Sequence, residues 1–101
     1  MDYAEERQGA EIFFKECLDL LCRKAQDYAK NTDAFSNFRK IANISDVPTE
    51  RSFLMFMAVK IARLAELLNK EAQVPESMED SLKDIVNYAC LMALYLKEEH
   101  R

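Results

Sequence analysis

The sequence predicts an all-α fold, and three observations carry that reading. Helix breakers are scarce, with one Gly (Gly9) and two Pro (Pro48, Pro75) in 101 residues. Apolar residues recur at spacings of three and four along most of the chain. Half of the residues are hydrophobic, which favours a packed core over a disordered chain. A chain of this length makes one helical domain over residues 1–101.

The elements follow in order. Residues 1–9 read as a frayed extension. A first helix is expected from Ala10 to Ala29, because Phe14, Cys17, Leu18, Leu21, Ala25 and Tyr28 share one face. Asn31-Thr32-Asp33 supplies a break and a capping residue. A short helix then turns Phe35, Phe38, Ile41 and Ala42 inward. Ser45-Asp46-Val47-Pro48 is the next stop: Val47 is forced out of helical geometry by the following proline, and Pro48 suits a first helical turn. Arg51 to Glu71 reads as a long helix that is apolar over a very wide arc, with Phe53, Leu54, Phe56, Met57, Ile61, Leu64, Leu67 and Leu68. Val74-Pro75-Glu76 breaks it. Ser77-Met78-Glu79-Asp80 then matches a capping box, opening a last helix from Met78 to about Glu98 with Leu82, Ile85, Val86, Ala89, Ala93 and Leu96 as its core stripe. The expected architecture is a compact bundle of three long helices and one short one. Apolar arcs this wide on so small a domain favour at least a dimer.

Composition also excludes several classes of function. The net charge of −4 offers no surplus of cations for generic nucleic-acid binding. A single glycine rules out a Gly-rich phosphate loop. The lone histidine, His100, makes a His-dependent triad or a two-imidazole metal site untenable. Cys17, Cys22 and Cys90 lie in apolar helical text and read as reduced core residues, poorly spaced for zinc. The longest apolar run, Tyr88 to Leu96, spans nine residues against the roughly 20 of a membrane helix. The acidic start, Met1 to Glu6, does not look like a signal peptide, so a cytoplasmic protein without membrane contact is expected.

Function is sought where the helical pattern is violated. Lys60 falls inside the apolar arc of the third helix, and Arg63 sits at its edge one turn on. Either Lys60 extends along the helix to water or to a structural carboxylate, or the two cations await an outside anion such as a phosphate. On the last helix, Asp80, Asp84, Tyr88, Leu91 and Tyr95 form a second stripe, flanked by Asn87. Like charges four residues apart destabilise a helix by about 0.2–0.5 kcal/mol unless a cation lies between them. Three readings of this stripe compete: a salt bridge from Asp84 to Lys60 or Arg63, a divalent metal held by Glu79, Asp80 and Asp84, and a polar pocket in which Tyr88 stacks on a base. Lys24 and Tyr28 are placed to close such a pocket from a third side. Glu16 and Asp19 read as a solvated face.

These residues resemble a known family. Asp27-Tyr28, Ala34-Phe35-Ser36-Asn37-Phe38, Lys60-Ile61-Ala62-Arg63-Leu64 and the run Glu79-Asp80-Ser81-Leu82-Lys83-Asp84-Ile85-Val86-Asn87-Tyr88-Ala89 are similar, in order, to small bacteriophage proteins of the nucleotide-modification-associated type. The resemblance covers roughly Lys24 to Leu96, and its most specific part is the last run. Ala29 departs from it, standing where the family commonly has Gly. The last run is also similar to the second metal motif of all-helical nucleoside-triphosphate pyrophosphohydrolases. Those enzymes need a further acidic cluster on an earlier helix, and Glu16 with Asp19 is the nearest candidate.

The expected function is binding of a small phosphorylated nucleotide without turnover or cofactor. Lys24, Lys60 and Arg63 would hold phosphate, Tyr28 and Tyr88 would stack on the base, Asp84 or Asn87 would read polar edges, and Phe35 and Asn37 complete the ligand-binding set. The phage resemblance implies a role in sequestering a host nucleotide signal. The alternatives are a Mg²⁺-dependent pyrophosphohydrolase using Glu79, Asp80 and Asp84, and a structural module whose tyrosine stripe is a homo-oligomer interface.

Overall fold

Scarce breakers and strong 3–4 spacing produce helices throughout. The computed structural model describes residues 1–27, 33–69 and 75–100, leaving aside the side chains of 26, 27 and 75–77. Four helices run in order: α1 Tyr3–Asp27, α2 Ser36–Ser45, α3 Thr49–Leu68 and α4 Pro75–Glu99. No strand occurs among the described residues. None of the described helices is long and apolar enough to cross a membrane.

α1 starts at Tyr3, about two turns ahead of the expected Ala10. An apolar stripe is missing there, but local polar contacts suffice. The Asp2 carboxylate accepts the Glu5 amide at 2.8 Å, and Arg7–Glu11 adds an i,i+4 pair at 3.1 Å. Before α2, the Asp33 side chain accepts the Phe35 amide at 3.0 Å and takes the Arg39 Nε–H with its other oxygen. Asn31 and Thr32, the other residues of the expected break, lie outside the described residues.

α2 ends at Asp46, whose φ of 56° is left-handed. The Val47 amide donates to the Ala42 carbonyl at 3.0 Å and the Asp46 amide to Asn43 at 3.3 Å, the two bonds of a Schellman cap. An L-residue pays for that backbone conformation, so Asp46→Gly is expected to stabilise the protein by about 0.5 kcal/mol and Asp46→Val to destabilise it by about 1–2 kcal/mol, read from thermal unfolding. A glycine variant that melts earlier than wild type would contradict the assignment. Pro48 then caps α3 with φ −60° and ψ 148°, as its locked ring prefers. α4 begins at Pro75, ahead of the capping box expected at Ser77.

The helices pack in sequence: α2 on α3, α3 on α4, and α4 on α1. The core lies between α2, α3 and α4 and is aromatic. Phe35, Phe38, Phe53 and Tyr95 are buried, with Phe56, Met57, Tyr88, Leu91, Met92 and Leu96 against them. Phe38 stacks on Phe53 at 4.2 Å, and Phe35 meets Tyr95 edge-on at 5.5 Å.

Two expected faces are corrected. On α4 the second stripe, Asp80, Asp84, Tyr88, Leu91 and Tyr95, is turned into the bundle from Asp84 on, Asp80 being exposed, while of the expected core stripe Leu82 is exposed and Leu96 packs on the core. α4 sits between α1 and α3 and buries surface on both sides, so no single face could be its core. On α1, Phe14 and Leu18 are exposed and Cys17 carries the contact. Cys17 alone of the three cysteines is buried; Cys22 and Cys90 are exposed. The radius of gyration, 15.6 Å, exceeds the ~13 Å of a compact domain of this length, because α1 is packed on one side only.

Candidate functional site

The chemistry gathers where α1, α3 and α4 meet. Asp84, in the second turn from the described start of α4's side chains, is 8% exposed. An isolated carboxylate at that depth is costly, and two lysines offset the cost. Lys24 from the last turn of α1 donates to Asp84 Oδ1 at 2.9 Å. Lys60 from the middle of α3 reaches Oδ2 at 3.0 Å. Burial pushes the Asp84 carboxyl up, but hydrogen bonds from Lys24 and Lys60 outweigh it, and the group is held below its ordinary value. Each carboxylate oxygen therefore holds one ammonium. The cation read as awaiting an outside anion, Lys60, has this internal partner. Arg63 does not join it: it is exposed, without an ion pair among the described residues.

Asn87, one turn on from Asp84, is buried and spends its amide on the Cys17 carbonyl at 3.0 Å. It straps α1 to α4 and sets the height at which Lys24 meets Asp84. Tyr88 is half-buried, its ring tilted against Phe56 at 5.3 Å. Phe35 belongs to the aromatic core, at 6% exposure between Phe53 and Tyr95, so it supports the fold rather than a binding surface. Asn37 is exposed on α2, away from the pairs that Lys24 and Lys60 make with Asp84. Tyr28 lies outside the described residues.

Glu79, Asp80 and Asp84 do not converge. Glu79 faces Lys83 at 3.8 Å while Asp84 is held by the two lysines, and no three His, Cys, Asp or Glu side chains group at metal-binding distance among the described residues. Glu16 is not simply a solvated residue, as its position on the helical wheel suggested. Lys83 crosses from α4 to bind it at 2.7 Å, and the pair lines a shallow cleft with Asp19, Arg23 and Asp80. Burial pushes the neighbouring Cys17 thiol up, Lys83 opposing this and Glu16 adding to it. Nothing in the spacing of α4 signalled the Lys83–Glu16 bridge, because the two residues are far apart in sequence and lie on different helices.

The family described as Nucleotide modification associated domain 1 matches residues 24–96, about three-quarters of the chain. The chain belongs to this family. Every residue of the lysine–aspartate cluster falls inside the matched span, Lys24 at its first position. A nucleotide modification associated domain is thus built here around one carboxylate and two ammoniums drawn from three helices. No curated protein and no solved structure matches the chain.

Proposed function

We propose that the protein binds a small phosphorylated nucleotide at the α1–α3–α4 junction and holds it unchanged. One observation carries this: Lys24 and Lys60 converge from separate helices on the single buried carboxylate of Asp84 at the rim of the core. The Lys60 side chain is 29% exposed and uses one of its three donors on Asp84. Its outer side, with Arg63 one turn on, presents cationic donors to a phosphate. Asp84 pre-positions the lysines, so the ligand meets an ordered site. Tyr88, half-buried with its ring against Phe56, is the ring for a base. A protein of this kind acts by mass action, lowering the free concentration of its nucleotide, which is the chemistry of sequestration.

Calorimetry with mono-, di- and cyclic nucleotides tests this. Binding to one or more is expected, weakened at least about ten-fold in Lys60→Ala plus Arg63→Ala, since each charge-assisted bond contributes about 1.5–3 kcal/mol. Absence of binding across the panel, or equal affinity in the double variant, contradicts it.

A second reading rests on the cleft that brings Glu16 and Asp19 near Asp80, an acidic group on an earlier helix facing α4. A Mg²⁺-dependent pyrophosphohydrolase needs acidic side chains drawn from more than one helix, and this reading predicts pyrophosphate release from a nucleoside triphosphate with Mg²⁺. These carboxylates do not group at metal-binding distance among the described residues. The binding reading is favoured because lysines already compensate Glu16 and Asp84.

A further inference from the structure

We infer that the outward face of α3 is an interface with a second copy of this chain, the two α3 helices lying antiparallel. α3 buries Phe53 and Leu67 and turns Lys60 toward Asp84. About a third of a turn away runs a second apolar stripe. Leu54, Ile61 and Leu68 recur every seventh residue and are 51%, 56% and 59% exposed. Ala58 and Ala65 fall between them at the intervening three- and four-residue steps, and Met55 and Ala62 widen the stripe. This is a heptad seam, the repeat by which one helix packs along another. A helix with two apolar faces is a helix with neighbours on more than one side, and among the described helices only α2 and α4 pack on α3.

The seam fits a copy of itself. Large side chains alternate with alanines, so antiparallel alignment sets Ile61 of one copy against Ala58 of the other and Leu54 against Ala65. The groove formed by Val47, Arg51, Leu54, Met55 and Ala58 at the start of α3 then receives Leu68 from the end of the other α3. Charge selects the direction. Arg51 flanks the seam at one end and Glu66 at the other, both exposed. Antiparallel packing brings Arg51 of each copy near Glu66 of the other, twice per dimer, whereas parallel packing sets them at opposite ends of the seam and forms neither pair. A seam covered by an unrelated helix would not require this reciprocity.

Sedimentation equilibrium of the full chain over a concentration series tests the inference. The expected mass is twice the 11.7 kDa of one chain. Ile61→Asp is expected to give the mass of one chain with its helical circular dichroism retained. Arg51→Glu or Glu66→Arg alone is expected to raise the dimer dissociation constant roughly ten-fold, and the two together to restore it, since both ion pairs change in each case. Lys60→Ala plus Arg63→Ala, which leaves the seam intact, is expected to stay dimeric. A wild-type mass of one chain overturns the inference, as does a dimer indifferent to Ile61→Asp. Failure of the double reversal to restore association overturns the antiparallel arrangement.

Discussion

Truncating Phe53 to alanine is expected to cost about 3–5 kcal/mol, a large share of the ~5–15 kcal/mol that holds a domain of this size together. Phe53 is fully buried, stacked on Phe38 and in contact with the rings of Phe35 and Tyr95. It is the residue through which α2, α3 and α4 share one core. Removing its ring leaves a cavity lined by three aromatic side chains, which cannot collapse without shifting a helix. Urea unfolding followed by circular dichroism measures the effect. A loss below about 1 kcal/mol would mean that this core is not where the stability resides.

Asp84→Asn carries the second large effect, through charge. The amide keeps the shape of the carboxylate but sets an NH₂ group against one of two ammoniums. One charge-assisted bond is lost and a donor opposes a donor, for an expected loss of about 1–3 kcal/mol. The lysines limit the damage, because both reach water when released. The sign of the pH dependence follows from the carboxyl being held below its ordinary value by Lys24 and Lys60. A depressed pKa contributes stability that is present above the ordinary carboxylate range and is lost as pH falls through it. The stability gap between wild type and Asp84→Asn should therefore be constant from neutral pH down to about 5 and shrink below about 4. A gap unchanged down to pH 3, or one that widens in acid, would contradict the cluster as described.

Much of this arrangement was legible in the sequence. Lys60 stood out as a cation in an apolar arc, and Asp84 as its complement on another helix, because both broke a hydrophobic pattern. Lys24 was legible only as a margin residue, since its partner lies 60 positions away and no local spacing encodes that distance. The faces of α4 were harder. Apolarity suggests which side of a helix is inside when one side is buried, but α4 lies between two neighbours, and Asp84 and Asn87 are buried by those neighbours rather than by their own character. Phe35 shows the opposite ambiguity: an aromatic residue beside a short polar helix reads equally as a stacking surface or as core, and only its contacts with Phe53 and Tyr95 decide for core. The start of α1 was missed because its first turns are held by a cap and an ion pair, which leave no period to detect.

The Lys60 and Arg63 side of the cluster is proposed to receive the phosphate of a nucleotide that is not converted. Phosphorus NMR of a nucleotide titrated with wild-type protein and with Lys60→Ala plus Arg63→Ala measures this most directly. The phosphate resonance is expected to move or broaden with wild type, to return unaltered once the protein is removed, and to stay at its free position with the variant. Resonances indifferent to the wild-type protein, shifted equally by the variant, or replaced by those of a cleaved product would contradict it.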